Sequence, residues 1–252
     1  MAEYLVLLRR FIVMMIMNEI KNIIFDLGGV ILTLNRNEAV RRFEQAGLEQ
    51  AEELLDPYHQ KGIFLDLEEG RLTSEAFYDA IRQLSGKYIS NEKIDHGWLG
   101  FIADTPAYKL EMLEELRKSY NLYLLSNTNP IIMAWALSPQ FSEKGKSLDQ
   151  YFDKMYLSYQ IGITKPHPQI YQYVIEDSGI IPSETLFIDD GAANVEIGKA
   201  LGMRVFQPKN GEDFRYIFSE EGHFLNSWHK FQYLLPHNFF INSAVFASAG
   251  LF

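Results

Sequence analysis

Four short groups of residues along the chain combine side chains suited to nucleophilic and phosphate chemistry. They are Asp26 with Gly28 and Gly29, Ser126 to Asn129, Lys165 with Pro166, and Asp189 to Gly191. A carboxylate can attack phosphorus, and carboxylates together with a carbonyl oxygen can hold a hard cation such as Mg²⁺. A hydroxyl, backbone N–H groups and a lysine can bind the remaining oxygens of a phosphate. The four groups therefore supply one copy of each part that phosphoryl transfer requires.

Each group follows a segment with the pattern of a buried β-strand. The strands are predicted over 21–25, 122–125, 154–157 and 185–188, with a fifth over 204–206. Helices are predicted between them, over 105–119, 168–176 and 193–201, the last of which would end at Gly202. Strands that alternate with helices of this length indicate right-handed βαβ units and a parallel sheet. Because ligands bind at the carboxyl ends of the strands in such sheets, we expect the four groups to meet there.

Taken singly, each group also has a common structural explanation. An Asp after a strand is frequently a turn or cap residue, and the segment 126–129 is typical of a helix start. A lysine before a proline, as at Lys165, is usually a surface residue ahead of a helix that the proline begins. Asp189 and Asp190 differ, because adjacent carboxylates repel each other unless a cation lies between them. The occurrence of all four groups at successive strand ends is what indicates one site.

Residues 36–100 interrupt the alternation of strands and helices. Helical spacing of apolar residues is found over 37–47, 73–84 and 91–101, without a convincing strand. Thr73 and Asn91 are predicted as N-caps. The sequence therefore predicts an α/β fold with a Rossmann-like, doubly wound parallel sheet over 17–35 and 101–218, and an inserted all-helical cap domain over 36–100.

The composition limits the class of protein. Of 252 residues, 47% are apolar and 22% are charged, which is an ordinary globular balance. The chain carries 23 Lys and Arg against 33 Asp and Glu, a net charge of −10 that disfavours general binding of nucleic acids. A small phosphorylated molecule can still bind where a metal or one lysine offsets the repulsion. The absence of cysteine excludes disulfides, thiolate zinc sites and cysteine nucleophiles.

The two ends of the chain do not fit the predicted core. Arg9 and Arg10 break the apolar start, and the uncharged run over 11–17 is shorter than the about 20 residues that span a bilayer. Residues 1–16 are interpreted as an N-terminal extension, either an extra helix or a consequence of a later start codon, and 219–252 as a C-terminal extension. We expect a cytoplasmic monomer or weak homodimer that binds neither membranes nor nucleic acids.

The four groups and their neighbours resemble the motifs of the haloacid dehalogenase (HAD) superfamily of phosphohydrolases. The matching segments are FDLGGVI from Phe25, LLSNTN from Leu124, GITKPHPQIY from Gly162 and FIDDGAANVEIGKALGM from Phe187. The resemblance covers about residues 17–218, and the helical insert takes the position of a type C1 cap. Within the superfamily, these motifs and the segment His96-Gly97-Trp98 are similar to the bacterial α-D-glucose-1-phosphate phosphatase group.

The resemblance implies Mg²⁺-dependent hydrolysis of small phosphorylated metabolites, such as glucose 1-phosphate, through an aspartyl-phosphate on Asp26. The implied metal ligands are Asp26, the carbonyl oxygen of Gly28, Asp190 and, directly or through water, Asp189. The implied phosphate ligands are Ser126, the backbone of Asn127, and Lys165. Lys165 would bridge the Asp26 carboxylate and the phosphate, which lowers the repulsion between two anions.

Gly28 departs from the pattern of the superfamily. Most of its phosphatases carry a second Asp two residues after the nucleophile, which protonates the leaving oxygen and then activates water. Gly28 retains the carbonyl but lacks this acid, and general acid–base catalysis is worth roughly 10²- to 10⁴-fold. We therefore expect a preference for sugar 1-phosphates or aryl phosphates, whose leaving groups need less protonation, over alkyl phosphates. A water, a substrate group or a cap residue would have to replace the missing acid.

Two residues of the predicted cap are candidates for substrate contact. Glu69 lies with Glu68 in a predicted loop before the helix over 73–84, and a glycine-containing loop at this point often faces the active site in similar proteins. Trp98 lies near the return of the cap to the core and could stack on a sugar ring. The structural alternatives are solvated glutamates and a Trp98 that packs in the core.

Two other functions fit parts of the sequence. Gly28 and the apolar ends are compatible with a non-catalytic member of the superfamily that acts as a binding module. An Asp nucleophile is also used by 2-haloacid dehalogenases, which need no metal. The pair Asp189 and Asp190 argues against the dehalogenase, because it predicts a cation site.

Overall fold

The computed structural model describes residues 19–55, 60–219 and 222–225. Its strands are β1 (Asn22–Phe25), β2 (Thr33–Leu34), β3 (Ile102–Asp104), β4 (Asn121–Ser126), β5 (Lys154–Leu157), β6 (Thr185–Ile188) and β7 (Arg204–Phe206). Its helices are α1 (Arg36–Ala46), α2 (Ala51–Leu54), α3 (Ile63–Glu68), α4 (Ser74–Ser85), α5 (Asn91–Leu99), α6 (Ala107–Leu116), α7 (Pro130–Ala136), α8 (Ser158–Ile161), α9 (Pro168–Ser178) and α10 (Ala192–Ala200). Short 3₁₀ helices lie at Pro139–Phe141, Leu148–Tyr151, Pro182–Glu184 and Arg215–Ile217.

The proposed extensions fall largely outside this description. The whole of the proposed N-terminal extension and all but residues 219 and 222–225 of the C-terminal one lie outside the described residues. Within the described part of the chain, no helix is both long and apolar enough to cross a membrane.

The chain divides into two compact units, the second of which begins at Phe214. In this second unit, Phe218 and Phe224 form an isolated antiparallel β-bridge. The rings of this pair lie edge to face, with centroids 6.1 Å apart.

The first unit contains a five-stranded parallel sheet with β1 at its centre. The strand order is β5-β4-β1-β6-β7. Phe25, the last residue of β1, lies opposite Leu124 of β4 and Ile188 of β6. The residues that follow β1, β4 and β6 therefore meet at one edge, where the chain order changes direction and leaves a crevice for a ligand. The predicted parallel sheet is confirmed.

Both faces of the sheet are covered, as the uninterrupted buried strands β1 and β6 require. On one face, Ile24, Leu125 and Phe187 form a hydrophobic cluster with residues of α9 and α10. Phe25 points to the opposite face and packs edge-on against Phe152, with ring centroids 6.2 Å apart. This arrangement confirms the predicted doubly wound architecture.

Of the two predicted N-cap residues, one caps its helix in the structure and the other does not. The side chain of Thr73 accepts a hydrogen bond from the N–H of Ala76 and caps α4, as predicted. The N-cap of α5 is Ser90, and not Asn91 as predicted. The side chain of Asn91 accepts a hydrogen bond from Arg82 and is therefore not used as a cap.

The helical insert contains α1 to α5 and no strand within its described residues. A short antiparallel ribbon joins its two ends, where Thr33 pairs with Asp104 and Leu34 with Ile102. The ribbon was not predicted, because strands of two and three residues carry too little periodicity to be recognised. We keep the division into core and cap as a proposal, in which this ribbon is the boundary.

Candidate active site

Three carboxylates meet at the carboxyl ends of β1 and β6. One oxygen of each of Asp26, Asp189 and Asp190 lies within 4.8 Å of the others. The N–H of Asp26 donates to the carbonyl of Ile188 at 2.9 Å, which continues the pairing of β1 with β6 and fixes Asp26 in place. The structure thus brings together two groups that are 163 positions apart in the chain.

Lys165 is buried among these carboxylates. Its Nζ lies 2.9 Å from Oδ1 of Asp26 and 2.6 Å from Oδ2 of Asp189. It also donates to the carbonyl oxygen of Leu125 at 2.8 Å. An ammonium has three donors, so these contacts use its full capacity. The predicted contact with Asp26 is present, and Asp189 is a second anionic partner that the sequence did not predict. Binding of a phosphate by Lys165 would require exchange of one of these bonds.

The side chain of Asn127 holds the backbone of Lys165 in place. Its Nδ2 donates to the carbonyl of Lys165 at 2.9 Å, and its Oδ1 accepts from the N–H of Lys165 at 2.7 Å. The sequence predicts only the backbone of Asn127, as a phosphate ligand, and does not predict this role of its side chain. No local pattern could have found it, because the two residues are 38 positions apart.

Asp189 and Asp190 differ in their surroundings. Asp189 is fully buried, and its Oδ1 accepts from the N–H of Gly191 at 2.8 Å and from Nδ2 of Asn194 at 2.9 Å. Asp190 lines the cavity described below. Gly29 has a φ of +73°, and a Cβ there would lie 2.1 Å from Oδ2 of Asp190. The absence of a side chain at position 29 therefore leaves room for the Asp190 carboxylate.

The charges in this cluster do not balance. Burial raises the pKa of Asp26 to about 7, Lys165 opposes this shift, and Asp189 and Asp190 add to it. Burial also raises the pKa of Asp190 to about 6, with Asp189 adding to the shift. Burial disfavours the charged form of Lys165, but the charges of Asp189 and Asp26 outweigh it and raise the pKa above its ordinary value.

Three carboxylates against one ammonium leave two negative charges, which is the charge that one divalent cation offsets. The donor set consists of oxygen atoms alone, as hard cations such as Mg²⁺ prefer. The residues present therefore fit a magnesium ion.

A cavity of about 120 Å³ opens beside Asp26. All the predicted site residues line it except Asp189 and Glu69. The residues concerned are Asp26, Gly28, Trp98, Ser126, Asn127, Lys165 and Asp190. The structure thus places the implied nucleophile, phosphate ligands and three of the four implied metal ligands around one space.

Glu68, and not Glu69, faces this space. The helix α3 continues through Glu68, so this residue does not lie in a loop as predicted, and its side chain is buried and lines the cavity. Glu69 forms an ion pair with Arg71 and accepts a hydrogen bond from Oγ1 of Thr164 at 3.0 Å. Of these two adjacent glutamates, Glu68 is therefore the candidate for contact with a substrate in this cavity.

Trp98 packs in an aromatic cluster of the helical insert. Its ring centroid lies 5.2 Å from that of Phe64, 5.6 Å from that of Phe101 and 6.0 Å from that of Phe77. The side chain is only 2% exposed. Packing in the core, the alternative considered for Trp98, therefore accounts for its position, and stacking on a sugar ring is not favoured.

Known proteins are similar to this chain in sequence and in fold. Residues 20–202 match the family described as haloacid dehalogenase-like hydrolase. The D-ribitol-5-phosphate phosphatase of Bacteroides thetaiotaomicron is 53% identical over 196 residues, which cover 78% of this chain and 95% of that protein.

Two solved structures are also similar. A predicted HAD-like family hydrolase from Porphyromonas gingivalis has 46% identity and a TM-score of 0.75, over 77% of this chain and 94% of its own. A HAD family enzyme from Bacteroides thetaiotaomicron, in complex with magnesium and inorganic phosphate, has 41% identity and a TM-score of 0.73. The match covers 79% of this chain and 100% of that chain. None of these relatives is named as a glucose-1-phosphate phosphatase, so that finer assignment stays a prediction. The chain belongs to the haloacid dehalogenase-like hydrolase family and is a phosphoric monoester hydrolase.

Proposed function

We propose that the chain hydrolyses small sugar or polyol phosphates in a Mg²⁺-dependent reaction, through an aspartyl-phosphate on Asp26. The observation that carries this proposal is the group of Asp26, Asp189 and Asp190 around a buried Lys165, beside a cavity. The 53% identity to a phosphatase supports a catalytic function and disfavours the alternative of a non-catalytic binding module.

Mg²⁺ would be held by the carboxylates of Asp26 and Asp190 and by the carbonyl oxygen of Gly28, with Asp189 beside them. When bound, the ion supplies positive charge that offsets the repulsion between the nucleophile and the phosphate. The magnesium and phosphate complex of the similar HAD enzyme supports this choice of metal.

The residues of the chain would divide the reaction into two steps. A carboxylate oxygen of Asp26 attacks phosphorus, the bond to the leaving oxygen breaks, and an acyl phosphate forms. Water then attacks this phosphorus, which releases phosphate and restores Asp26. Ser126, which is buried and lines the cavity, and the backbone of Asn127 would bind the phosphate oxygens.

Two observations support a substrate with several hydroxyl groups. Nε1 of Trp98 and Oγ1 of Thr128 are buried and have no hydrogen-bond partner within the described part of the chain. Both residues line the cavity, and hydroxyl groups of a ligand would provide partners for them. The similar ribitol-5-phosphate phosphatase takes a polyol phosphate by its name.

Phosphate release from a panel of substrates tests the proposal. We would assay D-ribitol 5-phosphate, glucose 1-phosphate, glucose 6-phosphate and p-nitrophenyl phosphate with Mg²⁺, after chelation, and after Mg²⁺ is restored. We expect release from at least one sugar or polyol phosphate, loss of release on chelation, and recovery with Mg²⁺. Activity that survives chelation, or no release from any sugar or polyol phosphate, would contradict the proposal. Halide release from a 2-haloacid instead would support the dehalogenase alternative.

Gly29→Ala tests the position of the metal site. The new methyl group would displace the Asp190 carboxylate, and we expect the affinity for Mg²⁺ to fall by about 10- to 100-fold, as when the surroundings of a metal ligand change. The matched control is Gly86→Ala, since Gly86 also has a positive φ (+61°) but nothing within 4 Å of the new atom.

Both variants carry a similar backbone cost, on the order of 1–2 kcal/mol. Titration of activity with Mg²⁺, with thermal unfolding as a check, separates this cost from metal binding. Equal affinities for Mg²⁺ in the two variants would remove Asp190 from the metal site.

A further inference from the structure

We propose that Glu68 of the helical insert is the general acid–base residue that replaces the carboxyl group missing at Gly28. This inference rests on the proposed phosphatase function and adds to it the group that handles the proton. It assigns a catalytic role to a residue that the motifs of the α/β core do not include.

Glu68 is the one ionisable side chain around the cavity, within the described residues, that the proposed mechanism does not yet use. Within the described residues, the ionisable side chains that line it are Asp26, Asp190, Lys165 and Glu68. Asp26 is the proposed nucleophile, and Asp190 belongs to the proposed metal site. Lys165 already has three acceptors. Glu68 is the remaining group that can give and take a proton.

The backbone of Glu68 is tied to the segment 126–128, which we propose binds phosphate. Oγ of Ser158 donates to the carbonyl of Glu68 at 2.6 Å. The same Oγ accepts from the N–H of Thr128 at 3.0 Å, and Thr128 is two residues after Ser126. Ser158 is fully buried, so this link between the insert and the core is shielded from water.

The two residues after Glu68 contact the α/β core. Gly70 has a φ of +66°, and a Cβ there would lie 2.1 Å from the carbonyl oxygen of Tyr159 in α8. Thr164, next to Lys165, donates its hydroxyl to Glu69 at 3.0 Å. The segment 68–70 therefore packs against residues 159–164, which lead to Lys165, and Glu68 is held beside the cavity.

The protonation of Glu68 agrees with this role. Burial raises its pKa to about 8, the charge of Asp26 adds to the shift, and Lys165 opposes it. Asp190 is the other charged group that lines the same space. A carboxyl group that retains its proton near neutral pH can donate it to a leaving oxygen.

The proton balance closes over the two steps. In the first, the bond from Asp26 to phosphorus forms, the bond from phosphorus to the leaving oxygen breaks, and the proton of Glu68 passes to that oxygen. In the second, the Glu68 carboxylate takes a proton from water as the water oxygen bonds to phosphorus. The bond from phosphorus to Asp26 breaks, and phosphate leaves a protonated Glu68 behind.

Rapid-mixing kinetics of Glu68→Gln test this inference. p-Nitrophenolate leaves without a proton, so we expect a stoichiometric burst at the wild-type rate, followed by turnover slowed by about 10²- to 10⁴-fold because water is no longer activated. With D-ribitol 5-phosphate, formation of the phosphoenzyme itself should slow by about the same factor. The matched control is Asp66→Asn. Asp66 lies on the same helix, and its carboxylate forms an ion pair with Arg71.

Three outcomes separate the possible failures. Equal slowing of the burst and of phosphoenzyme formation from ribitol phosphate would assign Glu68 a positioning role and overturn the inference. Unchanged kinetics in Glu68→Gln would also overturn it. A wild-type protein that releases phosphate from no substrate would instead defeat the proposed function.

A second variant places a carboxyl group at position 28, in the α/β core. Gly28 has an ordinary φ, and its new Cβ would lie 2.9 Å from Cδ1 of Leu34, the end of a flexible side chain that can move. We expect Gly28→Asp in the Glu68→Gln background to raise turnover of D-ribitol 5-phosphate by about 10-fold or more. Failure of this rescue, in a folded protein that retains the p-nitrophenolate burst, would count against a shared acid–base role.

Discussion

Asp26→Asn is expected to lower kcat for phosphate release by on the order of 10⁴- to 10⁶-fold, the range seen when the nucleophile of a covalent mechanism is removed. An amide is not sufficiently nucleophilic to form the acyl phosphate. The variant should still fold, because the carbonyl oxygen of Asn can accept the two hydrogen bonds that Oδ1 of Asp26 now accepts from Leu27 and Lys165.

The measurement is phosphate release from D-ribitol 5-phosphate and p-nitrophenyl phosphate with Mg²⁺. Asp79→Asn is the matched control, since Asp79 is an exposed carboxylate on α4 that pairs with Arg82. Turnover or a burst that persists in Asp26→Asn would assign the nucleophile to another group.

Lys165→Met is expected to lower the free energy of unfolding by about 3–5 kcal/mol and to remove activity, because it leaves buried carboxylates without their cation. Asp26 and Asp189 would lose their shared partner, and the carbonyl of Leu125 would lose its donor. Methionine keeps most of the volume of the side chain, so the change in stability reports mainly on charge.

Urea unfolding without Mg²⁺ measures this effect. The control is Lys87→Met, which removes an exposed ion pair with Glu49 and should change the stability by less than about 1 kcal/mol. Addition of Mg²⁺ should stabilise Lys165→Met more than the wild type, because the ion binds the folded cluster and offsets charge that Lys165 no longer offsets. Equal unfolding midpoints for the two lysine variants would show that the buried pair contributes no net stability.

The position of Glu68 changes the expectation for the substrate. Gly28 alone predicts a preference for sugar 1-phosphates and aryl phosphates, because their leaving groups need little protonation. The similar phosphatase is named for D-ribitol 5-phosphate, an alkyl phosphate. With Glu68 as the acid, the lack of a carboxyl group at position 28 no longer disfavours such a substrate. The ratio of turnover between D-ribitol 5-phosphate and glucose 1-phosphate is therefore informative in both the wild type and Glu68→Gln.

The sequence by itself determined the parallel sheet, its flanking helices and seven of the residues that line the cavity. Short β-branched and aromatic runs alternate with amphipathic segments, and this local pattern is sufficient to predict βαβ units. Since the carboxyl ends of parallel strands meet at one edge, the positions of Asp26, Ser126 and Asp190 followed from strand order.

Only the tertiary structure decided which partners these residues have. The pairing of Lys165 with Asp189, and the hold of Asn127 on the Lys165 backbone, join segments 24 and 38 residues apart that no local pattern connects. Glu68 and Glu69 are adjacent glutamates with the same propensities. One faces the cavity and the other Arg71, because successive side chains at the end of a helix point in directions about 100° apart and the docking of α3 on the core selects between them.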